Sequence, residues 1–281
     1  MSGLKSFAPE ICSLICQDPI LQQRDLKSIC FISHTFRKEA QRLLSYRFPC
    51  LRDAGRVKAW CLSLKRRPHI ALDIQSLVLF LPPQAAFHAD DISRLMQALG
   101  MCVNLKELVV LPEGGLHDYS KSVYMLEGLP FQLTKFVNGY FLQPHSRFKS
   151  FIQSQQKLEI LEILDMHNVH SGKTCHEIIA SHPSLKTLAC HPRFFLGGFS
   201  YFPNLERLRL DFGKSMDESE MRVFNSIFLG FPSSLKSLAI FLKQRSDGKQ
   251  SRLLEIMDFI TVKAPRIRHL QIHQFLPIVR L

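Results

Sequence analysis

The sequence predicts a mixed α/β fold in which a small unit of three helices precedes a curved solenoid with a parallel sheet. Two observations support this fold class. Apolar residues between Phe7 and Leu44 recur at helical spacing, and a strand-like apolar phrase then recurs through the rest of the 281 residues. We therefore expect a helical unit at residues 1–46, a linker helix and junction at 47–72, and a repeat region at 73–281.

Three short amphipathic helices are predicted in the first unit. Pro9 suits a first helical position, where the N–H that proline lacks would have no partner, and Asp18-Pro19 ends this helix. Ser33 and Thr35 are candidate N-caps of the third helix. So small a unit buries little area for its length, and we expect a partner to cover part of its apolar surface. The apolar helical positions are Ile11, Leu14 and Ile15, then Leu26, Ile29 and Cys30, then Phe36, Ala40, Leu43 and Leu44.

The junction contains a fourth predicted helix, which Asp53 can cap. Its apolar face consists of Val57, Trp60, Cys61 and Leu64, at positions i, i+3, i+4 and i+7. Trp60 is the only tryptophan in the chain. We interpret it as a core anchor between the two parts.

The repeat region is predicted from a recurring phrase. In each phrase an apolar residue at position i is followed by apolar residues at i+3 and i+5, with variable residues between them. Successive phrases start 20 to 32 residues apart. Each predicted strand buries its alternate apolar residues against its neighbours while the chain returns on the outer face. The phrases are Ile74-Leu77-Leu79, Leu105-Leu108-Val110, Leu133-Phe136-Asn138, Leu161-Leu164-Met166, Leu185-Leu188-Cys190, Leu205-Leu208-Leu210, Leu235-Leu238-Ile240 and Ile267-Leu270-Ile272.

Several of the return segments have helical periodicity. Asp90 or Asp91 starts one such segment and Pro144 precedes another. Similar faces occur at residues 173–180, 217–229 and 252–262. Prolines that end the return precede four of the strands, namely Pro183, Pro203, Pro232 and Pro265.

The N-terminal segment carries Pro9-Glu10-Ile11, then Asp25-Leu26 with Ile29, and finally Ile32-Ser33 with Phe36-Arg37. In this it resembles the F-box, the module by which substrate receptors dock onto the Skp adaptor of cullin-based ubiquitin ligases, and especially the F-box proteins of mushroom-forming fungi. Ala8 and the irregular connection at 17–23 depart from the family pattern. The resemblance implies that the adaptor contacts lie among Pro9, Ile11, Leu14, Ile15, Leu26, Ile32 and Phe36.

The recurring apolar phrase resembles a degenerate leucine-rich repeat. Together the two resemblances imply a substrate-receptor subunit of an SCF-type E3 ubiquitin ligase, joined through the Skp adaptor to a cullin scaffold, with no catalysis of its own. The alternative is a leucine-rich-repeat interaction scaffold that belongs to no ligase. Fold alone does not identify the target protein.

The residues between the buried strand positions are predicted to line a concave surface that binds the target. The alternative is that a loop or the apolar segment 275–279 covers some of them. The predicted surface contains Val78, Phe80, Val109, Leu111, Asp165, His167, Ala189, His191, Arg207, Arg209, Asp211, Ala239, Phe241, Gln271 and His273.

The net charge of +12 is concentrated at the N-terminal end, where residues 1–70 hold 13 Lys and Arg against 5 Asp and Glu. Such a basic end would speed docking onto an acidic partner, and Skp adaptors are acidic in the family that the chain resembles. A solvated basic face is the simpler interpretation for most of these cations. Nucleic-acid binding is not predicted, because the cations lack interleaved aromatic residues.

The sequence predicts no catalytic residues, cofactor or metal site. The cluster of His170, Cys175, His176, His182, Cys190 and His191 lacks the paired short spacings of metal ligands. No apolar run is long enough to cross a membrane, and the first residues lack the design of a signal peptide. We therefore expect a cytoplasmic or nuclear protein with reduced cysteines. Lys65-Arg66-Arg67 is either a nuclear signal or the cationic end of a helix.

Overall fold

A computed structural model describes residues 7–18, 20–82, 88–113, 123–141, 146–164, 182–192, 202–212, 222, 225, 231–243, 256–258, 260–262 and 266–275. It confirms a mixed α/β fold with a parallel sheet, and the sheet has nine strands where eight were predicted. The helices are α1 (Pro9–Gln17), α2 (Gln23–Ile29), α3 (His34–Arg47), α4 (Ala54–Arg66), α5 (Ala89–Met101) and α6 (Ser146–Ser154), with 3₁₀ helices at Pro68–Asp73 and Val123–Leu126. The strands are β1 (Cys50–Leu51), β2 (Ser76–Leu81), β3 (Glu107–Pro112), β4 (Lys135–Asn138), β5 (Ile160–Ile163), β6 (Thr187–Cys190), β7 (Arg207–Phe212), β8 (Ser237–Lys243) and β9 (His269–Phe275).

The spatial order of the strands is their order in the chain, and every adjacent pair is parallel. The sheet is open, with β1 and β9 at its edges. Parallel neighbours require crossover connections, so every strand starts at the same end of the sheet. Side chains at equivalent positions of successive strands therefore form straight rows across the sheet.

One of these rows forms the centre of the core. Its members from β2 to β8 are paired in register and are at most 2% exposed. The predicted burial of Leu108, Leu188, Leu208 and Leu238 is confirmed. Leu270 in β9 is 36% exposed, since β9 has a neighbour on only one side within the described residues. The row consists of Leu77, Leu108, Phe136, Leu161, Leu188, Leu208 and Leu238.

A recurring turn places a buried leucine ahead of each of several strands. The backbone N–H of Leu185 donates to the carbonyl of His182, three residues earlier, over 3.2 Å, and the N–H of Leu205 donates to Phe202 over 3.2 Å. Pro183 and Pro203 take the second position of these turns, where a fixed φ is favourable. The same bond precedes Leu105, Leu158 and Leu235.

The predicted fourth phrase, Leu161-Leu164-Met166, is wrong in its frame. The structure places Leu158 at the turn position and buries Leu161 and Ile163 in β5, whereas Leu164 is only half-buried. The leucines at 158, 161 and 164 are spaced by three, so the pattern fits two frames. Pairing of Phe136 with Leu161 across β4 and β5 selects the earlier frame.

The first three helices have a small core of their own. α1 and α2 pack against α3, and the buried residues of this cluster are separate from the core of the sheet. Ser33, rather than Thr35, caps α3: its Oγ accepts the N–H of Phe36 over 3.3 Å. The cluster consists of Cys12, Cys16, Leu26, Phe36, Ala40 and Leu43.

The junction packs with the sheet. β1 pairs with β2, and Val57, Cys61 and Leu64 of α4 belong to the core of the sheet. Asp53 caps α4 as predicted, accepting the N–H of Arg56 over 2.8 Å. Trp60 is partly buried against the same core.

The return segments are described in part. Residues 256–258 and 260–262 are helical, in agreement with the predicted face at 252–262. The predicted helix at 173–180 lies outside the described residues, as does 217–229 except for helical residues 222 and 225. No helix in the described ranges has the length and apolar character needed to cross a membrane.

Candidate protein-interaction surfaces

The helical unit exposes an unusual number of large apolar side chains. Leu14 in α1 is 70% exposed, Ile20 in the next connection 82%, and Phe31 and Ile32 in the turn before α3 are 84% and 64% exposed. Scattered exposed apolar residues are ordinary, but a concentration of them indicates an interaction site. We call the following six residues the apolar surface of the helical unit: Ile11, Leu14, Ile15, Ile20, Phe31 and Ile32.

The orientation of α1 explains this exposure. Cys12 and Cys16, one helical turn apart, are its buried residues and belong to the cluster with α3. Ile11, Leu14 and Ile15 lie at other angles around the helix and are exposed. Since α1 is apolar on more than one face, spacing alone did not identify the face that packs on α3.

The residues predicted to contact an adaptor therefore divide into two groups. Leu26 and Phe36 are buried in the helical core, so they stabilise the unit and are not available to a partner. The exposed group consists of Pro9, Ile11, Leu14, Ile15 and Ile32.

The prediction missed Ile20 and Phe31, two of the most exposed large apolar side chains described. A signal for both was present in the sequence, because each is a large apolar residue in a short connection between helices. A side chain there lacks the neighbours that a helix face would supply at i+3 and i+4.

The second candidate surface is the face of the sheet opposite the buried row. Side chains at alternate strand positions point there, and the register aligns them from strand to strand. Two rows cross β6 to β9, and a third extends over β7 to β9. They are Thr187-Arg207-Ser237-His269, Ala189-Arg209-Ala239-Gln271 and Asp211-Phe241-His273.

Arg209 is the centre of a stacked cluster on this face. Its Cζ lies 4.0 Å from the centroid of the Phe241 ring. Phe241 also stacks on His273, with 4.5 Å between ring centroids and 15° between planes. Arg209 Nη2 donates to Asp211 Oδ2 over 3.3 Å, while its Nε is buried without a hydrogen-bond partner among the described residues. The guanidinium is thus held in a fixed orientation and is partly removed from water.

The other half of the face, on β2 to β4, has an apolar second row. Val78 pairs with Val109, which pairs with the buried Val137. Close packing occurs at Gly139, where an added Cβ would lie 3.1 Å from Leu111 Cδ2. The first row of this half is polar: Ser76, Glu107 and Lys135 are paired there, and Ser76 Oγ donates to Glu107 Oε2 over 3.2 Å. The rows on β6 to β9, which we call the polar half, contain Arg207 and Arg209 and are the better candidate for specific recognition.

Most residues predicted to bind a target do lie on this face. His191, however, is buried directly after β6, and Asp165 and His167 lie outside the described residues. Because the frame of the fourth phrase was wrong, the prediction missed Glu162, which pairs with Val137 and Ala189. The residues placed as predicted are Val78, Phe80, Val109, Leu111, Ala189, Arg207, Arg209, Asp211, Ala239, Phe241, Gln271 and His273.

Some cations of the basic end are structural. Arg47 is buried, and it donates from Nη2 to the carbonyl of Gln17 over 2.7 Å and from Nη1 to that of Asp18 over 3.2 Å. A cation at the C-terminus of α1 is favourable because the last carbonyls of a helix are otherwise without partners. Lys58 lies 2.9 Å from Asp91. Neither residue presents a free charge to a partner.

The buried titratable groups are poorly suited to act as nucleophiles or metal ligands. Burial raises the pKa of the Cys61 and Cys102 thiols to about 12, which keeps both protonated and weakly nucleophilic. Burial lowers the pKa of His182, whose ring nitrogens have no hydrogen-bond partner in the part of the chain that the structure describes. Within the described ranges, no group of three or more His, Cys, Asp or Glu could hold a metal ion. His170, Cys175 and His176 lie outside those ranges.

Comparisons with known proteins assign no function to these surfaces. No model of a known protein family matches the chain, and a search of curated proteins found no similar sequence.

Proposed function

We propose that this chain is a substrate-receptor subunit of an SCF-type E3 ubiquitin ligase. In this proposal the helical unit is an F-box that docks onto a Skp adaptor, and the sheet belongs to a curved leucine-rich-repeat array that binds a target protein. The apolar surface of the helical unit is the observation that carries the proposal. It adds to the resemblance of this segment to the F-box.

The energetics favour a protein partner for this surface. Burying a large apolar side chain stabilises a complex by about 1.5–3 kcal/mol before the costs of association. Leu14, Ile20 and Phe31 are each more than two-thirds exposed, so most of that energy is still available. The core of the helical unit does not bury these three side chains, because Cys12, Cys16 and residues of α3 form most of that core.

The charges of the helical unit support an acidic partner. Lys27, Arg37 and Lys38 are exposed on α2 and α3 and make no ion pair with a described residue. Opposite charge on the partner would raise the association rate and orient docking. This fits the acidic character of the adaptors in the resembled family.

The proposed mechanism is proximity without catalysis by this chain. Hydrogen bonds from Arg47 hold the end of α1, and the Arg47 carbonyl accepts the N–H of Gln75, just before β2. This connection links the helical unit to the sheet. A target on the sheet would thus be held near the ubiquitin-charged enzyme at a raised effective concentration.

Co-purification of the full-length chain with a purified Skp adaptor tests the proposal. The variant Leu14→Glu/Phe31→Glu places two charges in the proposed interface, and we expect it to abolish adaptor binding. The matched control is Leu62→Glu/Leu72→Glu, which changes two similarly apolar side chains, 45% and 50% exposed, outside the helical unit. The control should bind like the wild type.

Two results would contradict the proposal. If the wild type captured no adaptor, the chain would be an interaction scaffold outside any ligase. If Leu14→Glu/Phe31→Glu bound the adaptor like the wild type, the interface would lie outside the apolar surface of the helical unit.

A further inference from the structure

We infer that the polar half of the sheet face binds an acidic, extended segment of the target protein. The inference rests on the proposed role as a target receptor and adds the chemistry of the target. It depends on Arg207, Arg209 and the residues that surround them on β6 to β9.

The register surrounds Arg207 with small hydrogen-bonding side chains. Thr187 is its neighbour on β6 and Ser237 its neighbour on β8, and Ser237 is in turn paired with His269. Arg207 is exposed and makes no ion pair with a described residue. A guanidinium with hydroxyl groups on both sides is a suitable donor set for a carboxylate.

Arg209 lies two residues after Arg207 on β7 and is a second candidate donor for a carboxylate. Its neighbours in the row are small: Ala189 is buried and Ala239 is partly exposed. Stacking on Phe241 and the buried Nε reduce its contact with water. A charge in such surroundings interacts more strongly with an incoming anion than a fully solvated one does.

The charge balance of this half selects an anionic ligand. On β6 to β9 its described side chains include Arg207, Arg209, His269 and His273, and Asp211 is the one carboxylate among them; Glu162 lies beside this half, on β5. Asp211 and Arg209 are engaged with each other, so Arg207 is the arginine of this half that makes no ion pair with a described residue. A basic ligand would lack a partner here, whereas a carboxylate would find several donors.

The spacing of the two arginines selects an extended peptide. Residues i and i+2 of a strand lie about 7 Å apart on one face. Alternate residues of an extended peptide have the same spacing, so carboxylates at alternate positions of the target would align with Arg207 and Arg209. An alternating acidic segment is therefore the expected ligand.

Fluorescence anisotropy of the purified full-length chain tests the inference without the adaptor, so its outcome is independent of ligase assembly. The probe is a short fluorescein-labelled peptide of alternating glutamate and alanine. The competing probes replace glutamate by glutamine or are single-stranded DNA of matched length. We expect the glutamate peptide to bind more tightly than either.

The decisive variant is Arg207→Glu/Arg209→Glu, and we expect it to weaken binding of the glutamate peptide about tenfold or more. The control Lys65→Glu/Arg66→Glu makes the same change in net charge on the exposed end of α4 and should have a much smaller effect. Arg207→Gln is the second variant, since it alters an exposed side chain and leaves the Arg209 stack in place. We expect it to weaken binding about threefold.

Equal losses in the double variant and the control would overturn the inference, because net charge alone would then explain binding. Tighter binding of DNA that depends on the same arginines would also overturn it and would indicate a nucleic-acid site. Circular dichroism verifies the fold of each variant. If the double variant did not fold, unchanged binding by Arg207→Gln would refute the inference.

Discussion

Asn138 shows at the residue scale how a polar residue can take a core position. The apolar phrase is weakest there, and the side chain is nevertheless buried. Its Oδ1 accepts the N–H groups of Tyr140 and Phe141 over 3.1 and 2.9 Å, and its Nδ2 donates to the Phe141 carbonyl over 3.2 Å. Burying an amide is tolerated when its hydrogen bonds are made. Asn138 therefore stabilises the turn after β4.

Asp91 is a second polar residue with a local role, at the start of α5. The sequence suggested Asp90 or Asp91 as the start of the helix, but His88 is the N-cap and Asp91 reaches back to it. Asp91 Oδ2 accepts the His88 N–H over 3.3 Å and lies 2.9 Å from Lys58 Nζ on α4. The Lys58 hydrogen bond lowers the pKa of Asp91.

Replacing Asp91 should therefore destabilise the fold. We expect Asp91→Ala to lower the free energy of unfolding by about 1–3 kcal/mol, while the exposed neighbour variant Asp90→Ala changes it by less than about 0.5 kcal/mol. Urea denaturation measures both. The advantage of the wild type should be complete above the ordinary aspartate pKa of about 3.9 and should shrink as the pH falls through the lowered pKa. Equal effects of the two variants would refute this role.

At the scale of the element, a turn and a strand form the recurring unit. The turn buries one leucine, and the following strand buries its alternate residues against both neighbours. Backbone hydrogen bonds also join successive units: the Lys106 carbonyl accepts the N–H groups of Thr134 and Lys135, and the Lys186 carbonyl accepts those of Glu206 and Arg207. The apolar phrase recurs because the buried residues of each unit pack against those of the unit before it.

The frame of the fourth unit can be tested by mutation. Leu161 is fully buried in β5, so Leu161→Ala should lower the free energy of unfolding by about 2–5 kcal/mol. Leu164 is half-buried after the strand, so Leu164→Ala should cost about 1 kcal/mol or less. Thermal or chemical denaturation distinguishes them. A larger effect at Leu164 would restore the frame predicted from the sequence.

At the scale of the whole molecule, two cores are joined through one short segment. The helical cluster and the core of the sheet are separate. Between them, the Arg47 carbonyl accepts the N–H of Gln75 and the Pro49 carbonyl accepts that of Val78. Phe48 packs on the helical cluster. Because the two cores are separate, we expect each part to remain folded when the other is removed.

A truncated chain tests this separation. We expect residues 47–281 to bind no Skp adaptor and to keep a folded sheet, because the sheet core takes no residue from the helical cluster. Adaptor pull-down and far-UV circular dichroism measure the two properties. Undiminished adaptor binding would refute the F-box assignment, and loss of the sheet signal would show that the helical unit is required for folding.

The mixed α/β class and the parallel sheet could be predicted from the sequence because burial imposes periodicity. A strand buried between neighbours repeats with period two, and Leu108, Leu188, Leu208 and Leu238 have that signature. The caps at Ser33 and Asp53 were also predicted, since capping depends on residues within one turn. Local rules and burial periodicity are properties of the sequence itself.

The tertiary structure decided which of several equivalent faces is used. α1 packs through Cys12 and Cys16 and leaves Leu14 exposed, and β5 pairs in the frame of Leu161. It also brought Arg209, Phe241 and His273 from separate strands into one stack. These outcomes depend on contacts between residues distant in the chain. Where an apolar pattern fits two faces or two frames equally well, only those contacts distinguish them.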